Sequence, residues 1–171
     1  MARADAAARE LLARFGIDEP PVDPRLLAEK LNVLVVHQEM KDDVSGMLLR
    51  REEQQVIGVN QNHAPKRQRF TVAHELGHLL LHRGRPLILD AQTRVNLRNT
   101  VSSMATDREE IEANRFAAAL LAPETMVRRE VKRLRFHTVE DLVEQLAERF
   151  DMSQTAMNYR LMNLGIISDP S

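Results

Sequence analysis

The apolar positions along the chain fall into two regimes, β-branched runs between residues 33 and 59 and three- or four-residue spacings elsewhere. Residues 2–14 are alanine-rich, with Leu11, Leu12 and Phe15 on one side, and predict a helix stopped by Gly16. Pro20, Pro21 and Pro24 mark a turn. Asp23-Pro24 has the form of an N-cap followed by proline at the first helical position, and Leu26, Leu27 and Leu31 share a face of the short helix after it. Residues 33–37, 47–49 and 55–59 predict a small sheet of about three strands, with the charged residues 50–53 as a hairpin turn. Asp42-Asp43 and Ser45-Gly46 read as turn chemistry.

From Lys66 the period becomes helical. Phe70, Ala73, Leu76, Gly77, Leu80 and Leu81 recur at helical spacing, and the helix should end near Gly84-Arg85-Pro86. Residues 85–105 are polar and irregular, apart from a candidate edge strand at 94–98. A loop of that length in a compact domain is more often functional than idle. Val95-Asn96-Leu97 could offer an edge on which an extended substrate adds as a strand. A second strong helix is expected over 107–121, ending before Pro123, and further helices over 124–134, 138–149 and 153–163, with Thr138 and Ser153 as N-caps. The expected class is α+β. Residues 1–171 are expected to form one compact unit, with a core over 20–123 and a helical C-terminal portion over 124–165.

Composition narrows the function. The chain has 171 residues, 43% hydrophobic and 29% charged, ordinary for a soluble globular protein. With 24 Lys+Arg against 25 Asp+Glu, no global basic field exists to hold DNA or a membrane. The absence of cysteine excludes a disulfide framework, a cysteine zinc finger, an iron–sulfur cluster and a thiol nucleophile. No apolar run is long enough to span a membrane and residues 1–10 lack the core of a signal peptide, so the expected location is the cytoplasm.

His74-Glu75-Leu76-Gly77-His78 matches H-E-x-x-H within a predicted helix. Residues four apart point the same way one turn apart, so both imidazoles can reach one zinc ion. Glu75 is then placed to act as general base on a water whose pKa zinc lowers to about 7. His82 repeats the spacing, but His74 and His82 lie about 12 Å apart along the axis, and a His78–His82 pair would put Leu79 where the base belongs. His82 therefore reads as a helix C-terminal or rim residue. A catalytic zinc site needs a third protein ligand. The acidic start of the 107–121 helix offers Glu109 and Glu110, of which Glu110 shares a face with Asn114, Ala117 and Ala118. Asn114 could orient a histidine. Asp107-x-x-Glu110 and Thr106-x-x-Glu109 also have the form of capping boxes, so the helix-face argument leaves the two glutamates open.

The segment Arg69-Phe70-Thr71-Val72-Ala73-His74-Glu75-Leu76-Gly77-His78-Leu79-Leu80-Leu81-His82 resembles the signature of the ImmA/IrrE metallopeptidases, and residues 110–123 resemble that family's second signature. Val56-Ile57-Gly58-Val59-Asn60 looks like the strand the family places before its zinc helix. The resemblance covers about residues 20–165. It implies a thermolysin-like zinc peptidase core with two zinc-binding helices, in which His74, His78 and Glu110 bind Zn2+ (or Mn2+) and Glu75 is catalytic. It also implies cleavage of a helix-turn-helix repressor, derepressing stress-response or mobile-element genes. Ala122 stands where many relatives have methionine.

Three further features have alternative readings. Residues 138–163 have the outline of a helix-turn-helix around Phe150-Asp151-Met152-Ser153, but they offer little positive charge, so direct DNA binding is disfavoured against a packed helical subdomain. Arg128, Arg129, Lys132, Arg133 and Arg135 form a basic run opposite Val127, Val131 and Leu134, as on a solvated amphipathic helix. Tyr159, the only tyrosine, is a candidate oxyanion stabiliser, with packing as its commoner role. Two rival functions are a non-catalytic zinc-containing module that sequesters a repressor, and a DNA-binding regulator using residues 138–163.

Overall fold

The computed structural model describes residues 2–84, 86–91 and 105–169. Helices α1 (Ala2–Arg14) and α2 (Pro24–Lys30) precede strands β1 (Val33–Gln38), β2 (Val44–Arg50) and β3 (Gln55–Asn60). Helix α3 (Pro65–Leu81), strand β4 (Leu87–Ala91) and helix α4 (Asp107–Leu121) follow. Helices α5 (Glu124–Arg133), α6 (Val139–Phe150) and α7 (Gln154–Asn163) complete a mixed α+β fold. The caps act as their side-chain chemistry dictates. Asp23 accepts from the amides of Arg25 and Leu26, Thr106 from Glu109, Thr138 from Asp141 and Ser153 from Ala156. Gly16 takes a positive φ of 65° where α1 stops.

The sheet has four strands in the order β1-β3-β2-β4, with β1 parallel to β3 and the other pairs antiparallel. This corrects the expected three. Leu87-Ile88-Leu89 lies in the stretch read as irregular, and its short apolar run becomes a strand because β2 has a second edge to pair. Leu48 stands opposite both Ile57 and Ile88, and all three are fully buried. Ser45-Gly46 lies within β2 rather than in a turn, and the pairing of β2 with β4 shifts register between Val44 and Gly46. The candidate edge at Val95-Asn96-Leu97 lies outside the described residues.

One face of the sheet packs on α3. A Cβ added at Gly46 would lie 2.6 Å from both the Gly58 carbonyl oxygen and Thr71 Cγ2, so strand and helix approach this closely only at a glycine. Helix α4 crosses the other side of α3, where a Cβ at Gly77 would stand 3.1 Å from Phe116 Cδ1 and 3.2 Å from Ala113 Cα. Leu76, Phe116, Ala117 and Leu120 are fully buried. A continuous apolar cluster runs from Ala4 on α1 to Met157 and Leu161 on α7. Arg69 ties the layers together: it donates to the Val22 carbonyl at 2.7 Å and the Asp151 carbonyl at 3.1 Å, and pairs with the Asp151 carboxylate at 3.0 Å. The basic run of α5 is engaged locally, Arg128 with Glu124, Arg129 with Glu19 and Arg133 with Glu130. Among the described residues no helix is long and apolar enough to cross a membrane.

Candidate metal centre

Helix α3 delivers His74 and His78 from consecutive turns, and the first turn of α4 delivers Glu110 across the interface that Gly77 permits. His74 Nε2 lies 3.1 Å from His78 Nε2 and 3.1 Å from Glu110 Oε2, and His78 Nε2 lies 3.2 Å from Glu110 Oε1. Each pair of residues brings ligand atoms to 3.1–3.2 Å, the two histidines meeting different oxygens of the Glu110 carboxylate. Ligands held tetrahedrally at about 2.0–2.1 Å from a zinc ion stand about 3.3 Å from one another, so the spacing fits that ion. Both imidazoles are buried and the Glu110 side chain is 24% exposed, which leaves the carboxylate as the solvent-facing wall.

The backs of both imidazoles are engaged as well. Asn114, one turn beyond Glu110 on α4, presents Oδ1 2.8 Å from His74 Nδ1. A carbonyl oxygen only accepts, so His74 carries its proton on Nδ1 and turns the Nε2 lone pair to the cluster. His78 Nδ1 lies 2.9 Å from His82 Nδ1, and His82 Nε2 lies 3.7 Å from Glu112 Oε2. Burial, then the neighbouring His78, pull the His82 pKa down, while Glu109 and Glu112 oppose them. With its own proton on Nε2, the side towards Glu112, His82 accepts the Nδ1 proton of His78 at Nδ1, which again leaves the His78 Nε2 free for the cluster. His82 is therefore not a rim residue, since it is 8% exposed and lies behind His78. Its spacing of four from His78 was the sequence signal.

Burial raises the Glu110 pKa, but in the metal-free centre, where a proton can take the metal's place on Nε2, hydrogen bonds and charge from His74 and His78 together outweigh it and hold the carboxyl well below the usual range. A carboxylate kept ionised against two imidazoles is what a cation site requires. Glu75 is fully buried on the sheet side of α3, where its Oε1 lies 3.5 Å from the position a Gly46 Cβ would take. The last turn of α3 is held by two cations. Arg50 donates to the carbonyls of His78, Leu79 and His82, and Arg3 donates to that of Leu81. Sequence reasoning missed both arginines, because their partners are backbone atoms distant in the chain.

His74, His78 and Glu110 are thus brought together, with Asn114 behind His74 and Glu75 one residue along the same helix. Tyr159 is not in this cluster; it is 60% exposed on α7.

Residues 28–162 match the peptidase M78 family, described as the IrrE N-terminal-like domain. The chain belongs to this family. It is 30% identical over 164 residues to the radiation response metalloprotease IrrE of Deinococcus deserti, covering 94% of this chain and 54% of that protein. It is 29% identical over 122 residues to the uncharacterized immunity region protein 2 of Bacillus phage phi105, covering 71% of this chain and 70% of the phage protein. A solved Mycobacterium tuberculosis transcriptional regulator shares the fold with a TM-score of 0.62 at 19% identity, covering 95% of this chain and 47% of that one. The chain therefore spans about half the length of the Deinococcus deserti relative.

Proposed function

We propose that this chain is a zinc-dependent endopeptidase with a thermolysin-like core, in which His74, His78 and Glu110 hold the metal and Glu75 is the catalytic base. The observation that carries this reading is the convergence of His74 Nε2, His78 Nε2 and the two Glu110 carboxylate oxygens at contacts of 3.1–3.2 Å, with Asn114 and His82 behind the imidazoles. Zinc bound there would polarise a peptide carbonyl and lower the pKa of a water to about 7; manganese suits the same oxygen and nitrogen donors. Glu75 takes a proton from the attacking water and passes it to the leaving amine nitrogen as the carbon–nitrogen bond breaks. Its full burial between α3 and β2 holds the carboxylate in one place for both transfers.

The substrate we propose is a helix-turn-helix repressor, cut at few positions to derepress stress-response or mobile-element genes in the cytoplasm. Similarity to a protein named as a radiation response metalloprotease and to a phage immunity-region protein supports this class. Within this reading residues 20–123 form the peptidase core and 124–165 a helical subdomain. A role for Tyr159 as oxyanion stabiliser is a separate proposal that competes with a role in packing or partner contact on α7; Tyr159→Phe should then lower kcat with KM unchanged, and an unaltered kcat removes it.

The test is a trap. Glu75→Gln, loaded with zinc, is used as bait in native lysate and captured proteins are identified by mass spectrometry. Recovery of a helix-turn-helix repressor that wild type then cuts supports the reading. Capture of a repressor that wild type leaves whole replaces the peptidase with a sequestering module.

A further inference from the structure

Beside the metal centre, a groove of about 720 Å³ opens between the N-terminal half of α3, the outer face of α4 and helix α7. Asn114 lines it, so it begins directly behind His74. Phe70, Ala118, Leu121, Met152 and Ala156 supply apolar lining. Ile111 and Tyr159 also line it and remain 63% and 60% exposed, two large side chains that an isolated surface has no reason to leave in water together.

The charge of the lining is one-sided. Lys66, Arg67, Arg115 and Arg160 are all cationic, and no carboxylate lines the groove among the described residues. This is local patterning, because the chain as a whole carries a net charge of −1. Two of the four are committed elsewhere, Arg115 to Asp5 at 3.3 Å and Arg160 to the Ala122 carbonyl at 2.9 Å. Arg67 reaches Ser45 Oγ at 3.3 Å, and exposed Lys66 makes no ion pair among the described residues.

We infer that this groove docks an apolar segment of the protein substrate that carries carboxylates beside its apolar side chains, away from the scissile bond. The inference rests on the peptidase reading for its occupant. Apolar anchors would enter between Ile111 and Tyr159, and carboxylates would meet Lys66 and Arg67 on the rim. Residues 92–104 of this chain do not suit the site by charge, since they contain Arg94 and Arg98 and no acidic residue. Docking beside Asn114 holds the substrate one helix turn from the metal ligands while leaving the cluster's solvent-facing side for the bond to be cut.

The test uses fluorescence anisotropy on the full chain in a Glu75→Gln background. The probes are a fluorescein-labelled amphipathic helical peptide with leucines on one face flanked by glutamates, and the same peptide with lysines replacing the glutamates. The acidic peptide should bind at least about tenfold tighter, with an advantage that shrinks as salt rises. Lys66→Glu should abolish that preference and Ile111→Asp should weaken binding about tenfold; both positions are exposed, so the fold should survive. Equal binding of the two peptides, unchanged by Lys66→Glu, overturns the inference. So does self-association of the chain that Ile111→Asp removes, which assigns the groove to a second copy. Binding without any proteolysis by wild type would support the groove and remove the peptidase. Proteolysis that is indifferent to both substitutions, with no peptide preference, would do the reverse.

Discussion

Removing the Asn114 amide should weaken zinc binding although Asn114 does not touch the metal. Its Oδ1 lies 2.8 Å from His74 Nδ1 and fixes the proton there. Without it, His74 can protonate Nε2 instead or rotate, and each choice takes the lone pair away from the cluster. Losing such a supporting partner typically costs 10- to 100-fold in metal affinity, or about 1.4–2.7 kcal/mol. Asn114 also lines the open groove, so water can enter the space left behind and the lower half of that range is expected. The assay is competition for zinc against a chromophoric chelator, comparing wild type, Asn114→Ala and Asn114→Asp. Asn114→Ala should lose about tenfold. Asn114→Asp still accepts from Nδ1 and should stay close to wild type. Wild-type affinity in Asn114→Ala, or equal losses in both variants, would refute the tautomer argument.

Three further outcomes follow from the same geometry. His82→Ala should weaken zinc about as much as Asn114→Ala, because His78 loses its Nδ1 partner at 2.9 Å; His82→Gln, which can still accept, should recover part of the loss in the same competition assay. Gly46→Ala would bring a Cβ to 2.6 Å from a backbone oxygen and from Thr71 Cγ2, so it should cost about 2–3 kcal/mol, lowering Tm by about 5–10 °C in scanning calorimetry; an unchanged Tm would show that β2 and α3 can separate freely. In zinc-free protein the Glu110 carboxyl lies below its unfolded value, so its stabilising effect is complete above about pH 4.3 and fades as pH falls towards the folded value. Denaturation of wild type and Glu110→Gln should therefore converge as the pH is lowered through that window, and a gap that widens on acidification would contradict the sign.

The parts of this molecule that could be read in its sequence are those encoded by local rules. Asp23-Pro24, Thr106, Thr138 and Ser153 announce helix starts, and each side chain caps as its chemistry predicts. The His74–His78 pair follows from helix geometry alone. Glu110 could be separated from Glu109 only by resemblance, because one residue of helical phase decides which carboxylate faces α3, and the first turn of a helix gives that phase poorly. Strand β4 was hidden because its pairing edge lies on β2, forty residues earlier at the paired residues Leu48 and Ile88. Gly46 read as a turn residue because a glycine's use as a close-approach site depends on Thr71 and Gly58, neither of which is local. His82 had the right spacing, but its role depends on burial, which the Leu79-Leu80-Leu81 run before it and the polar Arg83-Gly84 after it did not determine.

The most direct test of the central claim is a time course, by mass spectrometry, of the trapped protein incubated with zinc-loaded wild type or zinc-loaded Glu75→Gln. The account predicts discrete cleavage products with wild type, and an intact protein with Glu75→Gln despite equal zinc content. Equal cleavage by both proteins would show that Glu75 does not carry the proton and would contradict the mechanism.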